Sequence, residues 1–200
     1  MTWKRLNIMK ILILMAGLLA AGPWMIAQPS QVIVIRHGEK PDDPKAVHLS
    51  KAGEKRAKKL VPFLTSDPEL TAHGLPVALY ATKTTKSGHG QRTQETIAPL
   101  AKELHLPIES QYHSEEYQKL AQSILSNPKL QGKTVLICWT HEFIPQLTAA
   151  LGVHPQPPKW KEEVYDRIYL ISYHQGQASL KELHQTLSGE ESQSRKKHKH

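Results

Sequence analysis

Val32-Ile33-Val34-Ile35-Arg36-His37-Gly38 is the stretch on which the fold turns. Four consecutive β-branched residues leave no polar side, so the segment reads as a strand buried on both faces. Parallel strands covered by helices above and below have that pattern. The run stops abruptly at Arg36-His37-Gly38-Glu39-Lys40-Pro41. In an open parallel sheet the ligand sits beyond the carboxyl ends of the strands. A strand that delivers an arginine and a histidine there is the start of a site.

Working outward, β-type runs alternate with segments of helical period. Ser50 is placed to cap a helix whose apolar face is Ala57, Leu60, Val61 and Leu64. Val77 to Thr82 forms a second strand, and residues 91–104 put Ile97, Leu100, Ala101 and Leu104 on one stripe. Pro107 to Gln111 is a short strand. Ser114 is expected to cap a further helix, with Glu115 and Glu116 in the first turn, where the helix dipole favours them, and with Tyr117, Leu120, Ala121 and Ile124 buried. Thr134 to Trp139 is a second continuous apolar run, followed by a helix carrying Ile144, Leu147, Thr148 and Leu151. The runs Val164 to Tyr173 and Ala178 to Leu187 pair as an edge hairpin around Gln175-Gly176. The expected fold class is α/β, a three-layer α/β/α sandwich on a mostly parallel central sheet.

The two ends differ from the body. Residues 1–27 carry Lys4, Arg5 and Lys10 with no acid, then a short apolar core from Ile11 to Ala21 and small residues. That is the pattern of a signal peptide cut after Ala27, or of an uncleaved N-terminal anchor, and it places the domain of residues 28–189 in the periplasm or outside the cell. Residues 190–200 form a polar, basic tail, expected to be disordered. Of the net charge of +8, residues 1–27 supply +3 and residues 190–200 supply +2. The body is left with +3, and with no docking motif in the sequence nucleic acid is not expected as a partner. A lone cysteine, Cys138, agrees with export and lies in an apolar run, which suits an inert core thiol.

The chemistry gathers at the strand ends. The first strand runs into Arg36-His37-Gly38-Glu39-Lys40, the later apolar strand into Trp139-Thr140-His141-Glu142. Between them the loop Lys83 to Gly90 delivers Arg92 at a helix start. Two arginines, two histidines, a lysine and helix N-termini facing one crevice make an anion site, and a phosphoryl site in particular. A histidine among arginines has a depressed pKa, so its nucleophilic form is available near neutrality. His141-Glu142 is not a zinc-protease motif, because Pro145 stands where the second histidine would be; no Walker loop, dinucleotide fingerprint or Gly-x-Ser-x-Gly elbow occurs. No metal or other cofactor is expected. The remaining histidines, His113 among them, share no spacing and read as fillers, while Lys83, Lys86 and His89 are either a solvated loop or a phosphate-side rim.

At these residues the sequence resembles the histidine phosphatase superfamily, which includes the phosphoglycerate mutases and the histidine acid phosphatases. Val34-Ile35-Arg36-His37-Gly38 resembles its strand and Arg-His-Gly signature, and Leu49-Ser50-Lys51-Ala52-Gly53 its Leu-Thr-x-x-Gly helix start. Arg92-Thr93-Gln94-Glu95-Thr96 is similar to its arginine-led second helix. His141-Glu142, followed by Leu147, Ala150, Leu151 and Gly152, is similar to the His-Asp segment of acid phosphatases, with Glu for Asp. The four motifs stand in order across residues 31 to about 175.

The resemblance implies a phosphoglycerate mutase-like fold and a metal-independent phosphomonoesterase. His37 would become a transient phosphohistidine, with Arg36, Arg92 and His141 holding the phosphoryl oxygens. The acid for the leaving alcohol would be Glu142 by analogy with acid phosphatases, with Glu115, Glu116 and Glu39 as alternatives. Lys40 stands where acid phosphatases carry a further phosphate-binding arginine and would act as a point charge. The chain lacks room for the large helical insert of true phytases, so a minimal core with an open crevice is implied. The substrate would be a small or envelope-linked phosphate ester; the alternative is a non-catalytic module that binds a phosphorylated ligand. Pro155, Pro157 and Pro158 suggest a stiff wall, with Trp160 available to cover an apolar leaving group.

Overall fold

The burial on both faces expected from the sequence is met at Gln31–Arg36 (β1), where every residue is buried. Val32 and Val34 face one cluster of core side chains, Ile33 and Ile35 the other. The computed structural model describes residues 28–187, so the signal or anchor segment and the basic tail lie outside the described residues. Helix α1 (Lys51–Ser66) begins at Ser50, whose side chain accepts from the Gly53 N–H at 3.2 Å. It is followed by β2 (Pro76–Ala81), α2 (Gln91–Leu104), the two-residue β3 (Ile108–Glu109) and α3 (Tyr117–Leu125). Then come β4 (Thr134–Trp139), α4 (Ile144–Ala150), β5 (Arg167–His174) and β6 (Gln177–His184).

The six strands lie in the order β3-β2-β4-β1-β5-β6. Strands β1, β2, β3 and β4 are parallel, while β5 and β6 run antiparallel as the expected hairpin, turning on Gln175 and Gly176 with φ of 48° and 82°. Helices α1 and α2 supply Leu60, Leu64, Ile97 and Leu100 to one face of the sheet; α3 and α4 supply Leu120, Ile124, Ile144 and Leu147 to the other. This is the three-layer α/β/α sandwich, and Cys138 is buried within it, its thiol pKa pushed upward by that burial. Arg36 pairs in register with Trp139 and Ala81 with Cys138, so β1, β4 and β2 end level and deliver their loops to one rim. Among the described residues no helix is long and apolar enough to cross a membrane.

One local expectation is corrected. The turn before α3 is a 3-10 segment, Ser114–Glu116, and its cap is His113, whose backbone N–H donates to Glu116 Oε2 at 3.0 Å. Ser114 instead accepts the Trp139 indole N–H on its carbonyl at 3.0 Å, tying this loop to the end of β4. In this capping box the cap's own N–H is taken by the Glu116 carboxylate and the Glu116 N–H by His113, so the cap falls one residue before Ser114.

The two glycines of the strand and helix motifs explain each other. A Cβ on Gly53 would lie 2.5 Å from the Glu39 carbonyl oxygen and 2.9 Å from its nitrogen; one on Gly38 would lie 3.1 Å from Gly53 Cα. The first turn of α1 therefore rests directly on the backbone that follows β1, and the Ser50 N–H donates to the Glu39 carbonyl at 2.9 Å. Gly53→Ala is expected to destabilise the fold by about 1–3 kcal/mol, the usual cost of forcing a methyl into packed backbone. Urea denaturation measures this, and an unchanged midpoint would contradict the packing argument.

Candidate active site

At the common rim of β1, β4 and β2 lies a cavity of about 400 Å³, within the range of small-molecule sites. Arg36, His37, Arg92 and His141, which come from three separate stretches of chain, all line it. His37 is only 6% exposed, and its Nδ1 lies 2.7 Å from the Gly38 carbonyl oxygen. A carbonyl can only accept, so Nδ1 carries the proton and Nε2 keeps its lone pair. The loop is fixed from behind, because the Gly38 N–H donates to Thr96 Oγ1 at 2.8 Å and the Thr96 hydroxyl donates to the Arg92 carbonyl at 2.7 Å. One threonine thus couples the β1 loop to α2.

Arg36 is almost wholly buried. Its Nη1 donates to the carbonyls of Glu162 and Val164, the latter at 3.2 Å, and its guanidinium lies 4.0 Å from the centre of the Tyr165 ring. The same ring meets His37 edge-on, with centroids 6.2 Å apart. Arg36 Nε and His141 Nδ1 are buried without a hydrogen-bond partner. Arg92 Nη1 donates to the Ala46 carbonyl at 2.8 Å. Among the described residues no group of three or more His, Cys, Asp or Glu is arranged to hold a metal ion.

Burial is the main reason that the His37 pKa is pushed down to about 3; the Gly38 carbonyl opposes it, and the charges of Arg36, Arg92 and His141 add to it. The neighbouring arginines, expected from sequence as the cause, are outweighed by desolvation. His141 is lowered too, first by burial and then by Arg36, with Glu142 pulling the other way. A lowered histidine pKa means that the unfolded chain takes up the proton first. Stability is then complete above the unfolded value of about 6.5 and is lost as the pH falls toward 3. At pH 5 the His37 contribution to that loss is about 2 kcal/mol. His37→Gln is expected to shrink the difference between urea stabilities at pH 7 and pH 5 by about that amount. Equal differences in both proteins would contradict a buried neutral imidazole.

The carboxylates divide. Glu142 is exposed on the turn before α4 and lines the cavity, as does Glu115. Glu39 is turned to α1, where its Oε1 accepts from Arg56 Nε at 2.9 Å and Nη2 at 2.7 Å, and it is not among the cavity-lining residues. Glu116 holds the His113 N–H and an ion pair with Lys119 at 2.6 Å, which together keep its carboxyl pKa below the usual range. Lys40 reaches the cavity but is ion-paired with Glu162.

Trp160 differs from expectation. It is fully buried, edge-on to Tyr169 at 4.9 Å, with its indole N–H donating to the Val164 carbonyl at 2.9 Å. It is a core residue that anchors the strand-ward return of the chain, so it cannot cover a leaving group. Residues 113–117 and 154–163 are expected from sequence on the crevice rim, and His113 and Glu162 of these stretches do line the cavity; Tyr165, beside Arg36 and His37, lies outside that expectation. The contacts of Glu162 and Tyr165 with Arg36 span long sequence separations, and no local spacing marks them.

No protein-family model matches the sequence, and no curated protein matches it. Solved structures do match in fold. The Escherichia coli protein described as an alpha-ribazole-5'-P phosphatase gives a TM-score of 0.54 at 15% identity, over 80% of this chain and 98% of that one. A mycobacterial glucosyl-3-phosphoglycerate phosphatase in complex with VO3 gives 0.54 at 13% identity, over 78% and 100%. YhfR of Bacillus stearothermophilus gives 0.52 at 17% identity, over 80% and 96%. The likeness to these neighbours is one of fold, and it agrees with the phosphoglycerate mutase-like α/β fold that the resemblance at Arg36-His37-Gly38 implies.

Proposed function

We propose that the chain is a histidine phosphatase: an exported, metal-independent phosphomonoesterase that works through a phosphohistidine on His37. The observation that carries this reading is the Nδ1 hydrogen bond to the Gly38 carbonyl, which leaves a neutral Nε2 inside a cavity shared with Arg36, Arg92 and His141. Nε2 attacks phosphorus in line, and the P–O bond to the leaving alcohol breaks as the N–P bond forms. The negative charge spreads over three equatorial oxygens, which Arg36, Arg92 and His141 receive. Water then attacks the phosphohistidine, the N–P bond breaks, and inorganic phosphate leaves. Export rests on the basic, then apolar, residues 1–27.

The leaving oxygen needs a proton, and Glu142 is the favoured donor, with Glu115 across the same cavity as the other candidate. A poor leaving group depends on that proton more than a good one. Glu142→Gln is therefore expected to lower kcat/KM on an alkyl phosphate by about 10²-fold, and on 4-nitrophenyl phosphate by far less. The contrary pattern, with Glu115→Gln taking the alkyl-specific loss, would transfer the role to Glu115. Hydrolysis of 4-nitrophenyl phosphate by the full-length protein with EDTA present tests the whole reading. An inactive protein that still binds vanadate would point instead to a module that holds phosphorylated ligands.

A further inference from the structure

Glu162 lines the cavity and touches two of the cations that line it with it. Its backbone carbonyl accepts from Arg36 Nη1, and its carboxylate is ion-paired with Lys40 Nζ. Glu142 and Glu115 also reach the cavity, but the ion pair with Lys40 belongs to Glu162. The Glu162 carboxyl pKa lies below the usual range, chiefly because of Lys40, with His141 and Arg36 adding to the effect and desolvation opposing it. A negative charge thus stands among the cations that an anionic substrate needs, and it opposes the attraction they exert.

The two contacts of Glu162 differ in how firmly they are held. Its backbone belongs to a segment fixed on both sides. Trp160, fully buried, donates its indole N–H to the Val164 carbonyl at 2.9 Å, and the Val164 N–H donates to the Lys161 carbonyl at 3.1 Å. The Tyr165 carbonyl accepts from Gln185 Nε2 at 3.3 Å. The ion pair has no such support, since the Glu162 side chain is 60% exposed and that of Lys40 44%. A half-exposed pair of two flexible side chains is weak. It opens by side-chain rotation while the segment beneath it stays in place. A phosphomonoester dianion outbids one carboxylate for the ammonium, because it brings more charge and three strong acceptor oxygens.

Building on the phosphatase reading, we infer that Glu162 is a gate carboxylate: it holds Lys40 in the empty site, yields it to the phosphoryl group of a bound substrate, and takes it back as inorganic phosphate leaves. Glu162 acts through Lys40 and not on the reacting atoms, so it is a positioning residue. Its effect is to weaken the binding of substrate and product alike, which raises KM and eases product release.

Calorimetry of inorganic phosphate binding to the full-length protein reads the gate without any turnover. Glu162→Gln is expected to tighten binding about three- to fivefold, the scale of a half-exposed ion pair that no longer has to open. KM for 4-nitrophenyl phosphate should fall with it, while kcat stays level or declines. In a Lys40→Gln protein the same substitution should tighten phosphate binding by less than about twofold, since only charge repulsion is then relieved. Unchanged or weaker binding in Glu162→Gln overturns the gate and makes the pair a support for Lys40. Equal tightening with and without Lys40 overturns it too, because repulsion alone then accounts for the effect. A failure of the phosphatase reading shows separately, as absent turnover of 4-nitrophenyl phosphate by an unsubstituted protein that binds phosphate.

Discussion

His37→Ala is expected to abolish hydrolysis of 4-nitrophenyl phosphate, by on the order of 10⁴-fold or more, because the group that accepts the phosphoryl is gone and water has no substitute path. The loss should be chemical and not structural. Among the described residues the His37 side chain hydrogen-bonds only its neighbour Gly38 and meets one edge of Tyr165, so its removal leaves the supports of the loop in place: Gly38 to Thr96, and Ser50 to Glu39. The circular dichroism spectrum should match that of the unsubstituted protein, and vanadate should still bind through Arg36 and Arg92. A variant that keeps a tenth of the activity would remove His37 from the role of nucleophile.

Arg36→Lys should be the second most damaging change, with kcat/KM falling about 10²–10³-fold, as when one preorganised donor to a developing oxyanion is lost. A lysine keeps the charge but not the plane. Arg36 uses one edge of its guanidinium to hold the Glu162 and Val164 carbonyls, lies over Tyr165, and still has a buried Nε with no partner. One ammonium cannot serve carbonyls and phosphate at once. The change should also cost about 1–2 kcal/mol of stability, since the guanidinium's hydrogen bonds to the part-buried Glu162 and Val164 carbonyls are lost while Val164 keeps its Trp160 donor. Vanadate affinity is the deciding readout: it should fall together with kcat/KM if Arg36 holds phosphoryl oxygens. A loss of stability with unaltered vanadate affinity would make Arg36 a strut of the chain between Glu162 and Tyr165 and nothing more.

The parts of the fold that could be read from sequence are those with a local physical signature. Val32 to Ile35 and Thr134 to Trp139 have no polar side and became the two central parallel strands, and Ser50 capped its helix as its hydroxyl allows. The convergence of Arg36, His37, Arg92 and His141 followed from their places at strand and helix ends, given parallel strands. What could not be read depends on contacts between distant stretches. Glu39 stands two residues after His37, yet Arg56 on α1 turns its carboxylate aside. Trp160 follows a proline-rich run that suggested a surface wall, but the packing of Tyr169 draws it into the core. His113 caps a 3-10 turn because Glu116 reaches back to it, and that same turn brings it to the cavity. The strength of the pKa depression at His37 also depends on burial, which no spacing reports.

The central claim is a covalent one, and trapping tests it most directly. The full-length protein would be mixed with a 32P-labelled aryl phosphate in EDTA, quenched in alkali within milliseconds, digested and sequenced by mass. Because an aryl alcohol leaves easily, breakdown of the intermediate limits turnover and the intermediate accumulates. A burst of released phenol is expected, with a label that survives alkali, is lost in acid, maps to His37 and is absent from His37→Ala. Steady turnover with no burst and no bound label, or a label on any other residue, would contradict it.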